Sequence, residues 1–470
     1  MTRLGWRLAM MGLALATIGL PMTVAAQESR LAAEFRREGE HLKETCASPR
    51  TLMSCAMTVV TGHPVHLSFG SLAPGNGMAL GASFSTSHAP SESWRLSWSG
   101  DAVRTFGGSW RAGAYMKLIH TPESIIIVVA DPGAGTAAAD MAVRPHTVIN
   151  LYGQTTSLQD VSFFPLGESP GRNGRASFGM QQTVIGAGVI APLSGSRLTR
   201  VLNLSLVGEV NGRLVSIRNG AADDVPGILA AYSDADAPGL DEQPDALQFG
   251  GGVRLKPVPS RYFRMNYLVT AQQFLAGDTF SFRRWRVDFD HEIALYGTSR
   301  PVESRDTNTP NDCLTGPGAD SCPAISRDRR GSINLRLLAV TSSAGGQARV
   351  PFYFQPTIGG SDINGQAALA SFDDYRFRGP HLLLLQQAFE HSVWGPIGAW
   401  VRTDQGIVTA TRDALGFASL RTTVAAGVTI RAGGFPMVVA SYAVGGGEGR
   451  HFSFTINTSL LGGSSRPSLD

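Results

Sequence analysis

Four cysteines offer the first candidate chemistry. Cys46 and Cys55 form one pair and Cys313 and Cys322 another, each with eight residues between its members. Thiols this close bind a metal, react, or close a disulfide, and the compartment selects among these. The first 26 residues bear on the compartment. Arg3 and Arg7 give a positive start, Leu8 to Leu20 an apolar centre, and Val24-Ala25-Ala26 small residues before Gln27, the pattern of a signal peptide. The apolar run falls short of the ~20 residues that a spanning helix needs, so export with cleavage is expected. In an oxidising compartment the natural pairing is Cys46–Cys55 and Cys313–Cys322, two local bridges that pin loops. His41 lies near the first pair, but no second Cys or His pair sits at ligand spacing in either place, so no metal is expected.

Catalytic constellations are sparse. There is no Gly-x-Ser-x-Gly elbow and no His-Glu-x-x-His helix. His291 stands beside Asp288 and Asp290, but on a strand the two carboxylates share one face and the imidazole takes the other. Ser361-Asp362 needs no catalytic role. The glycine-rich Gly445 to Arg450 does not lead from a strand into a helix, so it is no phosphate loop. The chain is expected not to be an enzyme and to carry no cofactor.

The elements that would position these groups are strands. The chain has 470 residues, 43% hydrophobic and 16% charged, with 55 glycines. That is too apolar for disorder and poor in charge for a soluble protein. Loss of Arg3 and Arg7 with the signal lowers the formal charge from +3 to +1, and no basic patch points to nucleic acid. Period two dominates. In Trp285 to Ile293 the odd positions are mostly apolar and the even ones charged, and Ile333 to Leu337, Phe452 to Asn457 and Trp94 to Ser99 repeat the alternation. A soluble sandwich alternates too, with its apolar face inward. Arg, Asp and Glu in mid-strand suit a wet lumen instead, with Leu, Val and Phe facing lipid.

Sixteen candidate strands begin near Met78, Trp94, Trp110, Ser124, Thr147, Ala176, Val201, Ala246, Arg264, Phe280, Ser332, Leu382, Ile397, Gly416, Pro436 and His451. The expected fold is therefore all-β: a 16-stranded antiparallel transmembrane β-barrel over 78–470. A short periplasmic cap over 27–77 precedes it, with a helix from Glu28 to Thr45 that carries Leu31, Phe35 and Leu42 on one stripe. This count sends segment 299–331, with its two cysteines, to the periplasmic end.

Four strings carry a resemblance. Val161 to Gly171 (VSFFPLGESPG), Val350 to Gly365 (VPFYFQPTIGGSDING), Asp373 to Pro380 (DDYRFRGP) and Thr403 to Val408 (TDQGIV) resemble, in this order and spacing, the bacterial surface-antigen family of outer-membrane barrels. BamA-like, TamA-like and two-partner-secretion proteins belong to that family. The resemblance covers roughly 70–470 and implies a 16-strand barrel in the cell outer membrane. It also implies an outer loop between strands 11 and 12 that folds into the lumen behind a Gly-Gly pair, here Gly359-Gly360. The family's Arg-Gly-aromatic motif falls on Asn364, Gly365 and Gln366, so the arginine is missing. The family arginine meets an acid on the wall. Asp404 matches that acid and Glu390 is the candidate for a second. Arg376 or Arg378, just before Gly379, could rebuild the lock, or could simply line the loop and meet water. The family's periplasmic POTRA modules need some 75 residues each, and only 51 residues, 27–77, precede the first strand, so none is expected here.

Three functions follow. The resemblance implies a role in outer-membrane biogenesis or protein assembly and translocation, with direct client handling weakened by the missing modules. A weak seam between first and last strands would favour it. A passive pore for small solutes is the second, and it needs an open lumen. A surface-exposed structural or adhesive protein is the third, acting through the acidic segment 219–245 with Asp223, Asp224, Asp234, Asp236, Asp241 and Glu242. The expected partners are outer-membrane lipid and other envelope proteins, with the barrel itself monomeric.

Overall fold

The structure is a computed structural model that describes residues 30–46, 64–91, 93–120, 127–129, 140–142, 146–166, 174–193, 195–257, 263–298, 329–394, 397–432, 435–447, 449–456 and 469. The chain divides into two units after Thr58. Helix α1 (Arg30–Thr45) belongs to the first unit and agrees with the expected span. Phe35 on it is exposed, while the Leu31 and Leu42 side chains lie outside the described residues. The signal segment, Cys55, Cys313 and Cys322 also lie outside them, and so do both expected disulfide pairings. No cysteine is free among the described residues.

The second unit realises the period-two pattern as one antiparallel sheet of 16 strands, arranged in chain order. These are β1 (Val65–Ser71), β2 (Met78–Ser91), β3 (Trp94–Thr105), β4 (Trp110–His120), β5 (Thr147–Phe163), β6 (Ala176–Pro192), β7 (Leu204–Asn219) and β8 (Ala246–Leu255). Then come β9 (Phe263–Leu275), β10 (Phe282–Thr298), β11 (Arg329–Ala344), β12 (His381–Trp394), β13 (Ile397–Thr409), β14 (Arg421–Ala432), β15 (Phe435–Gly445) and β16 (Arg450–Ile456). The sheet curls until β1 and β16 lie side by side, yet no ladder joins them among the described residues.

The wall is apolar outside and polar inside. On β10, Trp285 is 55% exposed while its neighbour Arg284 is 8% exposed. On β13, Val401 is 49% exposed and Asp404 fully buried. Leu335, Phe389, Val428, Tyr442 and Phe454 continue the exposed apolar belt, and Asn211, Gln248 and Gln272 the buried polar lining. A belt of this extent is far larger than the apolar patches of soluble monomers, and it suits hydrocarbon as solvent. His291 follows the same rule. Its ring bonds Tyr267 Oη at 3.0 Å on the outer face, away from Asp288 and Asp290 on the inner one.

The count of sixteen is right through two differences that cancel. The sheet starts at Val65 rather than Met78. Val65, Leu67 and Phe69 alternate with buried His66 and Ser68, and Pro74-Gly75-Asn76-Gly77 makes the turn into β2. The strand expected from Ser124 is not in the barrel: Ile127–Val129 pairs with Asp140–Ala142 as a separate two-stranded sheet. The run from Ile125 to Val129 is continuously apolar, so it lacks the alternation that a wall between lipid and lumen requires. A helix at Arg197–Val201 moves the start of β7 to Leu204, and short 3-10 turns at Arg412–Ala414 and Phe417–Ser419 move that of β14 to Arg421. Because the two differences cancel before β5, the parity of later segments is unchanged. β10 ends and β11 begins at the end where β1 begins (the entry end), while segment 345–380 leaves from the far end; segment 299–328, with its expected placement, lies outside the described residues.

Candidate functional site: the inward loop and the seam

Segment 345–380 joins β11 to β12 and folds into the barrel. Its neck is a two-residue ladder, Thr357–Ile358 against Phe377–Arg378, packed on β13. Above the neck the backbone closes on itself. Gly359 N–H donates to the Ala368 carbonyl at 2.9 Å, Ala368 N–H to Gly360 at 3.0 Å, and Tyr375 N–H to Gly359 at 3.0 Å. This crossing requires the glycine pair. Both have positive φ, +105° and +58°, and a Cβ would stand 2.4 Å from Arg376 Cβ at Gly359 and 2.7 Å from the Asp374 backbone at Gly360. Leu369 and Tyr375 adopt left-handed φ of +52° and +61° without being glycine. That strain persists only because packing fixes both residues, which are buried. Leu369, Phe372, Phe377 and Ile358 form one core with Leu338 and Val340 of β11, Leu382 and Leu384 of β12 and Val408 of β13.

The polar contacts place the charge on the wall. Asp404 receives Arg402 from its own strand: Nη2 donates to Oδ2 at 3.0 Å, and Nε stands 2.7 Å from Oδ1 as an ion pair. Gln386 of β12 adds an Nε2 bond of 3.0 Å to Oδ1, and the same nitrogen donates at 3.0 Å to the Ala367 carbonyl of the loop. One register step away Arg336 of β11 grips Asp288 of β10 with Nε at 2.9 Å and Nη2 at 2.8 Å, while its Nη1 reaches Gln366 Oε1 of the loop at 3.2 Å. Arg286 completes that wall cluster at 2.9 Å from Asp288. The loop tip itself is shaped by Asp362, whose Oδ1 accepts the N–H of Asn364 at 2.9 Å and of Gln366 at 2.8 Å. Asn364, Gly365 and Gln366 stay exposed.

The other expected site residues sit elsewhere. Arg378 donates Nη1 to the Phe352 carbonyl at 2.7 Å, and burial pulls its guanidinium down to about 10. Arg376 lies over the rings of Phe164 at 4.7 Å and Phe377 at 5.1 Å. Gly379 approaches β13, where a Cβ would lie 2.9 Å from the Thr409 carbonyl oxygen. Glu390 shares the inner face of β12 with Gln386 but pairs in register with Trp400, ~13 Å further along the strand. The pairing thus brings Asp404 to Arg402 and Gln386, and Asn364 contributes only its backbone. Arg402, Gln386 and Arg336 were missed at the level of sequence, although Arg402 stands two residues from Asp404 and so shares its face.

Around the loop the far end is filled. Phe163, Phe178, Phe274, Phe282, Phe352 and Phe354 form an aromatic cap with Ile228 and Leu240. The acidic segment contributes to it: Asp234 accepts the N–H of Gly239 at 2.7 Å and of Leu240 at 3.1 Å and pairs with Arg349. The loop also touches both flanks of the seam. Tyr375 Oη donates to the Pro74 carbonyl in the β1–β2 turn at 3.4 Å, and Ser371 Oγ donates to Gly445 at the end of β15 at 2.9 Å. The Phe372 ring packs where a Cβ on Gly446 would otherwise stand. A cavity of ≈ 150 Å³ separates Pro74, Asp160, Asp374, Tyr375 and His451 of β16.

An antiparallel barrel of sixteen strands, apolar outward and charged inward, with a loop plugged into its lumen, defines an integral β-barrel protein. No family model matches the sequence, and no curated protein matches it. Among solved structures, the chain is similar to BamA from Haemophilus ducreyi lacking POTRA domains 1–3, at 12% identity over 84% of this chain and 70% of that one, with a TM-score of 0.46. It is also similar to CdiB from Escherichia coli, at 14% identity over 83% and 62% with a TM-score of 0.46. CdiB from Acinetobacter baumannii gives 10% over 83% and 59% with a TM-score of 0.41. The chain thus spans 59–62% of the two CdiB chains.

Proposed function

We propose that the chain is a loop-plugged outer-membrane barrel of the surface-antigen type, serving envelope biogenesis through its seam rather than through an open pore. One observation carries the reading. The sheet ends on β1 and β16, which lie together without a ladder among the described residues, and the inward loop bridges the turns on both sides of them. Unpaired strand edges in hydrocarbon are costly, so a barrel that leaves its two edges unjoined holds them ready for another strand. A passive channel is the second reading, favoured by the charged lumen and opposed by the aromatic cap. Single-channel conductance of the refolded barrel, with and without residues 361–379, separates the two. The proposal expects a quiet full chain that conducts once the loop is removed. A steady pore in the full chain would overturn it in favour of the channel.

A further inference from the structure

Inside the barrel, charge is matched on the wall. Arg111 meets Asp101, Arg286 and Arg336 meet Asp288, and Arg402 meets Asp404, at 2.7–2.9 Å. Two arginines near the far end face outward instead, and neither has a carboxylate partner among the described residues. Arg104 alternates on β3 with the buried Val103 and Thr105 and is exposed. Arg218 follows Ile217, which packs against the inner aromatic cap, so Arg218 takes the outer face of β7.

The two share one row of the outer wall. Arg104 pairs in register with Trp110, Trp110 with Ser157, Ser157 with Gln181, and Gln181 with Ser216. Arg218 reaches back into this row. Its Nη2 donates to Ser157 Oγ at 3.2 Å, to the Leu158 carbonyl at 3.0 Å and to Gln159 Oε1 at 3.0 Å. To do so it crosses β6 over Gly179, where a Cβ would stand 2.8 Å from the arginine Nε. The glycine leaves the lane open. All three acceptors are neutral, and Nε and Nη1 of Arg218 make no bond among the described residues. Two strand spacings separate Arg104 from Ser157, which sets the two cations roughly 10 Å apart.

The surroundings are those of a membrane interface. Half-buried Trp110 lies between the cations, and Phe106 at the tip of the β3–β4 turn is fully exposed. Gln181 and Ser216 are exposed beside them. An outward guanidinium at this level finds its anion in the lipid, and its planar fork suits phosphate oxygens. The amide and hydroxyl next to it offer donors and acceptors that a sugar can use and an acyl chain cannot.

We propose that the outer row Arg104–Trp110–Ser157–Gln181, with Arg218 laid across it, binds the headgroup of a phosphorylated glycolipid in the leaflet at the far end. The cations take phosphate, and Gln181 and Ser216 take sugar hydroxyls. Under the orientation proposed above, that leaflet is the outer one.

The test is native mass spectrometry of the refolded full chain in detergent, titrated with a glycolipid whose sugar headgroup carries phosphates, with the same lipid dephosphorylated, and with phosphatidylglycerol. The phosphorylated glycolipid should bind at least about 10-fold more tightly than either of the others. Arg104→Gln should weaken it about 5-fold, and the Arg104→Gln, Arg218→Gln double variant should abolish the preference. Arg283 is the control, an outward arginine on β10 held by Gln273 Oε1 at 2.9 Å. Arg283→Gln should bind as the parent does. Heat-modifiable migration shows that each variant is folded. Arg104 makes no side-chain bond among the described residues, so Arg104→Gln decides the matter if the double variant does not fold. Equal binding of the dephosphorylated lipid or of phosphatidylglycerol overturns the proposal. So does an Arg104→Gln barrel that binds like the parent, or an equal loss in Arg283→Gln. Binding in micelles depends neither on orientation nor on a plugged lumen, so its failure would leave the loop-plugged reading standing.

Discussion

Gln386 and Asp404 face each other across β12 and β13, and one nitrogen of Gln386 serves both the Asp404 carboxylate and the Ala367 carbonyl of the loop, at 3.0 Å each. The loop is thereby tied to the buried wall acid through a neutral go-between. Gln386→Leu removes both bonds at similar volume and leaves buried acceptors short of a donor, which costs about 1–3 kcal/mol. Asp404→Ala leaves Arg402 without its carboxylate in a dry place and costs more, about 3–5 kcal/mol. Thermal melting in detergent should rank Asp404→Ala below Gln386→Leu. Only Gln386→Leu should raise loop hydrogen exchange while melting close to the parent.

Asn364 stands where the resemblance implies an arginine, and placing an arginine there should do little. The wall acids within reach already hold cations: Asp404 has Arg402, and Asp288 has Arg336 and Arg286. Asn364 is exposed and contributes its backbone N–H, which any residue keeps. Asn364→Arg is expected to change stability by less than about 0.5 kcal/mol. The loop's exchange rate should be unaltered. A loop that tightens tenfold would mean that the added guanidinium displaces Arg402.

Three glycines of one loop should respond differently to the same methyl group. At Gly360 a Cβ meets the Asp374 backbone, and the φ is +58°. Gly365 has a φ of +75° with open space around it. Gly365→Ala then costs only the left-handed conformation, about 1 kcal/mol. Gly360→Ala adds a clash with backbone and should free the loop. Gly359→Ala should behave like Gly360→Ala, because Arg376 stands in its way. Conductance onset in Gly359→Ala and Gly360→Ala but not in Gly365→Ala is the expected pattern.

What the sequence made legible follows from what each signal depends on. Alternation is local, so β10, β11 and β16 were readable from their own residues, as was the inward side of Asp288, whereas the wall position of Asp404 was implied only by the resemblance. β1 obeys the same rule in Val65 to Ser71, but its seven residues are short and merge into the Pro-Gly turn. The lock was not legible, because it is a matter of register. Gln386 meets Asp404, and Arg336 meets Asp288, only through strand pairings that no single strand encodes. Arg378 misled for a related reason: a guanidinium can be held by a carbonyl and rings as well as by a carboxylate, and the choice is made by packing.

Acid should tighten the loop rather than open it. Burial raises the carboxyl groups of Asp362 and Asp374 above the ordinary value, and the backbone N–H donors of Gln366 and Asn364 to the first and Ser361 to the second do not offset it. A docked group with a raised value binds its proton more tightly than the same group on a freed loop. Protonation therefore favours docking, and the gain appears as pH falls toward the usual carboxylate range near ~3.9. Hydrogen exchange across 359–376, corrected for intrinsic rates, should slow between pH 7 and pH 4.5. The slowing should vanish in the Asp362→Asn, Asp374→Asn double variant. Faster exchange in acid would mean that the wall ion pairs, not these two carboxyls, set the response.

The loop and the seam should be coupled, because Ser371 and Tyr375 reach opposite flanks of it. Among the described residues no ladder joins β1 to β16 and each rests on one paired neighbour, so their amides should open at a lower free energy than those of β10 and β11, which are paired on both sides. Phe372→Ala empties the loop core beside Gly446, a deletion that costs about 3–5 kcal/mol in a packed site. It should loosen the β15–β16 turn and with it β16. Exchange of Arg450–Ile456 should then rise by about 10-fold or more while that of Ile333 to Leu337 stays fixed. A β16 indifferent to Phe372→Ala would separate the plug from the seam, and the loop would then serve only to close the lumen.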